Sequence, residues 1–412
     1  MNWILESLRK KQKLTLNDVI DKVGDRYGLL QKFRETPQDK EWHSEGDVHI
    51  HTDMVIQETY RIFEKEKFSE RDQLILIMAA IFHDICKPLT TKERIIKEKI
   101  RVVAPKHEEM GLSYLFYRLI EEDIEEEVRN SVLELVGYHQ QPKLLVVKNK
   151  GVWHYKYLTR NIPGYLFYYH QIADMRGRVC GDKNIQLEYL EEFKMFCEEY
   201  NCFYTRSGID KEIKEHLSEN FNFNGDSDLL YIEKKALTDL IKDEYEDPIV
   251  AYQKYFEKKD NYPRLFLMCG LSGSGKSTQV RELKEKWEAE VISLDEIRKD
   301  YKINNTNRKS VDGKVLQVAM KRLKECLANN INVIWDACNI RKDFREKIMT
   351  VGEKYGSLNC IVFVKNSLSR CIYNDSLRSD GFLGKEVIEE QYEKFQYPED
   401  KECNLKILVL GG

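Results

Sequence analysis

The chain has 412 residues, 42% hydrophobic and 33% charged, and carries a net charge of −4. That length exceeds one typical core and predicts two or three domains. The composition describes a soluble globular protein, and no apolar run approaches the roughly 20 residues that span a bilayer. The near-neutral charge neither suggests nor excludes nucleic acid, because an enzyme that grips a strand end needs only a few local Arg and Lys residues.

The N-terminus, Met-Asn-Trp-Ile-Leu-Glu, turns charged too early for a secretory signal. The first 185 residues read as mostly helical. Residues 74–86 (LILIMAAIFHDIC) form a strongly apolar segment that stops before Pro88, as the bias against helix ahead of proline requires. After Pro105, the positions Leu112, Leu115, Phe116, Leu119 and Ile120 keep helical spacing. Val128, Val132, Leu135, Val136 and His139 do the same.

Of the nine histidines, seven precede residue 155. His83 and Asp84 end the most apolar helix, where a charged dyad is costly unless something compensates it, as a metal would. Candidate companions are His51, His107 at a helix start, His139 on an apolar helix face, and Asp174 in Ala173-Asp-Met-Arg-Gly-Arg178. Each has a bland alternative: a hydrogen-bonded core histidine, or an Asp–Arg ion pair. The ordered set H…HD…H…H…D is what carries weight. His43, His49 and His51 lie close together; His51 is preferred as first ligand over His49 because Thr-Asp-Met-Val after it begins a helical pattern. His154 and His170 are expected to be structural. Arg176 and Arg178 either touch substrate phosphate or pack on acids.

Residues 186–260 are rich in Glu, Lys and Tyr and include Asn-Phe-Asn-Phe-Asn-Gly at 220–225, a loop sequence. They are expected to be helical connecting material with no site of their own. From Pro263 the character changes. Leu265–Cys269 is a short apolar run before a Gly-rich turn and predicts a buried parallel strand; Ile331–Trp335 and Cys360–Val364 repeat the pattern. Strands alternating with helices predict a parallel sheet covered on both faces.

The turn itself, Gly270-Leu-Ser272-Gly273-Ser274-Gly275-Lys276-Ser277, fits G-x-x-x-x-G-K-[ST]. Gly270 and Gly275 let successive N–H groups point at one phosphate, and the helix from Lys276 adds its positive end. Lys276 reaches the outer phosphates, and Ser277 offers a hydroxyl to Mg²⁺. Ser272, Gly273, Ser274 and Thr278 complete the nucleotide-binding set. A Gly/Ser-rich linker is the bland alternative, and the strand before and helix after argue against it.

Asp295, after the apolar pair Val291-Ile292, can accept a proton from an acceptor hydroxyl. Arg298, three residues on, shares its helical face and can hold a phosphate; an N-cap Asp with a solvated Arg is the alternative. Asp336 ends the run Ile331–Trp335 and can order magnesium or its waters. Arg370 and Arg378 flank Asn374 near Gly381 and Gly384, a lid-like segment whose arginines can neutralise a transferring phosphoryl group.

The order phosphate loop, S-L-D-E-I-R, W-D-A-C-N-I-R and an Arg-bearing lid resembles the polynucleotide 5′-kinase family over residues 263–412. That resemblance implies Asp295 as general base, Arg298 as its partner and Arg378 as the lid arginine. The histidine and aspartate set resembles the HD phosphohydrolase superfamily, and Ala173–Arg178 is similar to a stretch in HD domains of tRNA nucleotidyltransferases. It implies one metal on His51, His83, Asp84 and Asp174, with Asp84 bridging to a second on His107 and His139. The ligand types suit Mn, Fe, Co, Ni or Zn.

Together these imply a multidomain protein: an N-terminal all-α HD domain (1–185), a connecting region (186–260), and a C-terminal α/β P-loop kinase with a parallel sheet and helical lid (261–412). The order resembles a bacterial end-healing family in which an HD phosphohydrolase is fused to a polynucleotide kinase. The resemblance implies ATP (or another nucleoside triphosphate) with Mg²⁺, RNA or DNA ends as partners, and removal of 2′,3′-cyclic, 3′- or 2′-phosphates together with 5′-phosphorylation. A separate ligase is expected, since no lysine nucleotidyl-transfer motif is evident. The alternative is a regulatory kinase and phosphatase acting on a small nucleotide or sugar; a non-catalytic nucleic-acid-binding module would leave both site sets idle. Ten scattered cysteines without a Cys-x-x-Cys pair point to reduced thiols and a cytoplasmic setting, with no membrane partner.

Overall fold

The computed structural model describes all residues except 222–225, 260, 301–307, 379–380 and 412. It divides into two compact units, Met1–Ile209 and Asp210–Gly412. The stretch 186–260 is largely helical, and the units divide within it.

The first unit is built around the helix Glu70–Phe82, in which every residue from Leu74 to Phe82 is buried. Such a helix has no polar face and must be surrounded. The helices Val48–Lys65, Glu126–Tyr138 and Gly164–Arg176 pack against it. Its start is set by Ser69, whose hydroxyl accepts from the Asp72 N–H. The stretch Glu70–Thr90 is longer and more apolar than the sequence reading allowed and would by length suit a membrane span. In the fold, 83% of its apolar window is buried, as in a core helix.

The helical unit also carries an antiparallel hairpin that the sequence reading passes over, β1 (Lys92–Ile96) and β2 (Lys99–Val103). Its turn residues Lys97 and Glu98 both have positive φ, 48° and 63°. Two such residues match the right-handed strand twist. The signal is weak because neither is the Asn or Gly usual there.

The second unit has a five-stranded sheet in the order β4-β5-β3-β6-β7: β3 (Arg264–Cys269), β4 (Glu290–Ser293), β5 (Val333–Asp336), β6 (Leu358–Lys365) and β7 (Leu405–Leu410). Every pairing is parallel. β6 is buried along its whole length, as a central parallel strand should be. β3 lies between β5 and β6, so chain connections leave it in opposite directions. That switch point is where open α/β sheets bind ligands, outside the carboxyl ends of the strands. Helix Asp226–Ile241 packs on β6, and Tyr231 donates to the Gly356 carbonyl at 3.0 Å, tying residues before 260 to this unit.

Candidate functional site

In the first unit, helix ends deliver the histidines. His83 and His139 are the C-cap residues of their helices, and His107 is the first residue of His107–Ile120. Each Nδ1 donates to the carbonyl three residues back: Ala80 at 3.0 Å, Val136 at 2.9 Å and Ala104 at 2.7 Å. Helix C-termini leave such carbonyls without partners, so the cap position satisfies the carbonyl and orients the ring together. With Nδ1 protonated, each Nε2 keeps a bare lone pair. His51 is held in the same sense, its Nδ1 lying 3.1 Å from Glu45 and 3.3 Å from the Gly177 carbonyl.

The bare nitrogens converge. His51 and His83 place Nε2 atoms 3.3 Å apart, and so do His107 and His139. Two lone pairs at that separation repel unless positive charge lies between them. Asp174 Oδ1 lies 3.2 Å from His51 Nε2. Asp84 reaches both pairs, with Oδ2 3.2 Å from His83 Nε2 and Oδ1 3.3 Å from His107 Nε2. Two buried groups result, His51–His83–Asp174 and Asp84–His107–His139, each with ligand atoms mutually within 4.8 Å. The donor set fits two divalent cations with Asp84 between them. His49 instead meets Asn17 at 2.9 Å and is in neither group, whereas His51 is in the first.

The shifts at Asp84, Asp174 and His139 agree with this fit, while against burial Asp174 and Glu45 raise His51, and Asp84 and Glu108 raise His107. Burial opposes the charges of Asp84 and Asp174. His83 and Lys87 nevertheless hold Asp84 well below the usual carboxylate range, and Arg178 and His51 do the same for Asp174. Burial, reinforced by His107 and His83, drives His139 well below the ordinary histidine range, so it is neutral. A cleft of about 330 Å³ opens over Asp84, Lys87, His107, His139 and Arg178.

In the second unit the loop after β3 bends through Gly270, Gly273 and Gly275, with φ of 144°, 77° and 103°. A Cβ on Gly273 would sit 2.1 Å from the Cys371 carbonyl, so no other residue fits there. Helix Lys276–Trp287 begins directly after Gly275, which places its N–H groups at the loop. Lys276 Nζ donates to the Gly270 and Leu271 carbonyls at 3.0 and 2.8 Å. Ser272, Gly273 and Ser274 lie buried in the loop, while Ser277 and Thr278 are exposed at the helix start.

Asp336, at the carboxyl end of β5, pairs in register with Ser293 at the end of β4. Burial raises its pKa against the lowering effect of Lys276, and the nearby Asp295 and Glu296 raise it further. Asp295 is 82% exposed and ion-paired with Arg298. A cavity of about 300 Å³ bordered by Arg298, Trp335, Asn339, Arg341 and Phe344 adjoins this end of the sheet. Asn374, in helix Leu368–Ser376, donates to the Gly273 carbonyl at 2.9 Å and fastens the lid segment to the loop. Beyond it Arg378 lies 3.5 Å from the buried Asp375, which accepts from the Leu383 and Gly384 N–H groups. Arg370 stacks over Tyr373 at the surface.

Residues 48–157 match the family profile described as HD domain, and residues 265–398 match one described as AAA domain (AAA_33). The chain carries an HD domain and a P-loop kinase-like domain. A gluconokinase from Sinorhizobium meliloti 1021 is 20% identical, with a TM-score of 0.29, over 36% of this chain and 83% of that one; the likeness is too slight to bear on substrate. None of the curated proteins compared with the chain matches it. HD domains bind divalent metals, and a P-loop kinase takes a nucleotide with Mg²⁺.

Sequence reasoning missed several residues around the HD site. Glu45 lies 2.8 Å from His43 Nδ1 as well as near His51, a carboxylate behind a ligand histidine. Lys87 Nζ lies 2.7 Å from both Asp84 Oδ2 and Gln38 Oε1. Its spacing of three from Asp84 was a local signal for that contact. Arg178 donates to Asp174 at 3.1 Å and lines the cleft, whereas Arg176 is exposed. His170 stands beside His83, ring centroids 5.7 Å apart, and burial lowers it to about 3.

Proposed function

We propose that this chain heals the two ends of a broken polynucleotide, RNA or DNA. The HD domain would remove 2′,3′-cyclic phosphate, 3′-phosphate or 2′-phosphate, and the P-loop domain would phosphorylate the 5′-hydroxyl with ATP. The observation that carries this reading is the pairing of opposed chemistries in one chain. A buried donor set suited to two cations, with Asp84 between, removes phosphate; a phosphate loop beside Asp295, Arg298 and Asp336 adds one. On a single small molecule the two would cancel, whereas on opposite strand ends both are needed before ligation.

In the HD cleft, His51, His83, Asp84 and Asp174 would hold one cation, and Asp84, His107 and His139 the other. Such a pair, drawn from Mn, Fe, Co, Ni or Zn, supplies an acidified water and charge neutralisation at phosphorus. Lys87 and Arg178 present positive charge to the phosphate oxygens, and Gln38 holds the Lys87 ammonium in place. Water oxygen bonds to phosphorus, one P–O ester bond breaks, and the sugar oxygen leaves with a proton.

In the kinase-like domain, Lys276 and the loop N–H groups hold the triphosphate while Ser277 and Asp336 serve Mg²⁺. Asp295 takes the proton of the 5′-hydroxyl, whose oxygen attacks the γ-phosphorus, and ADP leaves. Arg298 and the lid Arg378 counter the negative charge that develops. Ligation falls to a separate enzyme in the cytoplasm.

The test is end analysis of a nicked RNA bearing a 2′,3′-cyclic phosphate and a 5′-hydroxyl, with ATP and a panel of divalent metals. Conversion of both ends is expected. Phosphate transfer to free nucleosides or sugars, with oligonucleotides ignored, would sink this reading in favour of a small-molecule kinase.

A further inference from the structure

The hairpin β1–β2 sits between the HD dyad and His107 in the chain, and its own Val102 and Val103, with the adjoining Thr91, line the HD cleft. Directly paired residues on antiparallel strands project from the same face. The register Lys92↔Val103, Arg94↔Arg101 and Ile96↔Lys99 therefore puts Lys92, Arg94, Lys99 and Arg101 on one face. The other face carries Glu93, Ile95, Ile100 and Val102 and has no cation. A chain with a net charge of −4 thus gathers the positive charge of this hairpin's strands on a single side.

The β2 side of that face is anchored. Asp39 accepts from the Val102 N–H at 3.1 Å and from Arg101 at 2.9 Å, and also from the Glu41 and Trp42 N–H groups at 3.1 and 3.2 Å. Burial raises the Asp39 carboxyl, and these donors outweigh it and hold the group below its usual range. Arg101 stacks over Trp42 with its guanidinium 4.7 Å from the ring centre. Trp42 also lines the cleft and is 39% exposed. Lys99 lies 3.7 Å from Glu41.

The β1 side is different. Lys92 and Arg94 are exposed and have no acidic partner among the described residues. Arg94 stands directly opposite Arg101, a like-charge pairing that weakens a hairpin. Two unpaired cations on the strand that begins beside the cleft-lining Thr91, with an exposed indole at the cleft, are complementary to a polyanion with stacking bases.

We propose that the basic face of this hairpin is the track for the polynucleotide backbone, gripping the phosphates upstream of the 3′ end that enters the HD cleft. Trp42 gives the terminal base a stacking surface. The assignment rests on the end-healing reading above and extends it: the HD domain selects a strand end over a free nucleotide through Lys92 and Arg94.

The test compares two substrates with the full chain loaded with Mn²⁺, an oligonucleotide ending in a 2′,3′-cyclic phosphate and a nucleoside 2′,3′-cyclic monophosphate. In the Lys92→Glu/Arg94→Glu double variant, KM for the oligonucleotide is expected to rise about tenfold or more, with kcat unchanged. The slope of log(kcat/KM) against log[salt] becomes shallower by about 2. Hydrolysis of the monophosphate stays at the wild-type level, because that ester has no upstream strand. An Ile95→Ser/Ile100→Ser variant of the opposite face leaves both substrates unchanged. An unchanged oligonucleotide KM in the charge-reversed variant, or equal loss on both substrates, overturns the hairpin assignment alone. Wild-type protein that cleaves the monophosphate and ignores the oligonucleotide overturns the end-healing reading and the track with it.

Discussion

Asp84 of the HD domain is buried among its neighbours, whereas Asp295 of the kinase-like domain stands open to solvent even though the phosphate loop beside it is buried. Asp84 is 2% exposed and touched by His83, His107 and Lys87; Asp295 is 82% exposed and touches Arg298. The contrast follows from what each site must hold. A cation cage has to desolvate several carboxylates and imidazoles, which is tolerable only when charge and lone pairs are matched in advance. A phosphate loop must admit and release a nucleotide and an acceptor each cycle, so its partners approach from strand ends and a lid.

The sharpest way to break this comparison is to remove the central residue of each site. Asp84→Ala is expected to lower 3′-end hydrolysis about a hundredfold or more and leave 5′-phosphorylation intact; Lys276→Ala should do the reverse. Activity assays on both ends measure this, and one substitution silencing both activities refutes two independent sites. A somewhat smaller effect is expected at Glu45, which orients His51 from behind. Glu45→Gln should weaken metal affinity about 10- to 100-fold with the kinase unaffected, read by metal titration. Stripping metal with a chelator should also lower the melting temperature of the HD domain, because facing imidazole nitrogens are left without the charge between them. An unshifted melting curve would mean that the cage is stable without cations.

The smallest expected effect lies in the second unit, away from its phosphate loop. Burial lowers the Lys235 ammonium to about 8 from an ordinary 10.5. The unfolded chain then binds more protons than the folded one between those values, so stability should rise as pH climbs from 8 to 10.5. At pH 7 the burial cost is fully present. Lys235→Met should therefore stabilise this unit at pH 7 by on the order of 1–3 kcal/mol and flatten that rise. Denaturant melts at pH 7 and 10 check it, and equal gains at both pH values would argue against a buried ammonium.

The two domains were unequally legible in sequence. The phosphate loop is local: its glycines, Lys276 and Ser277 are consecutive, and the strand–helix context around them is equally short in range. Asp295 and Asp336 were singled out because apolar strand-like runs precede them, and the structure places Asp336 at the end of β5 and Asp295 just after β4. The lid was only half visible, since the anchoring contact from Asn374 to Gly273 joins residues far apart in the chain. In the HD domain, the candidate set His51, His83-Asp84, His107, His139, Asp174 was legible in order, and the structure gathers its members into two buried groups. Its supporting residues were not. Glu45 and Gln38 come from an irregular segment whose path depends on how it closes over the helices, and the hairpin lacked the usual turn residues.

Sequence alone thus determined the chemistry on offer: a phosphate loop with a following acid and arginine, and an ordered series of imidazoles and carboxylates on helical segments. Those follow from residue type and short-range spacing. Only tertiary structure put His51 rather than His49 into the buried clusters, separated Arg178 from Arg176, placed Asp84 between two His-bearing groups, and brought the cations of the hairpin to one face beside the cleft. Each of these depends on which side of an element faces a neighbour distant in sequence, and packing of the whole unit sets that direction.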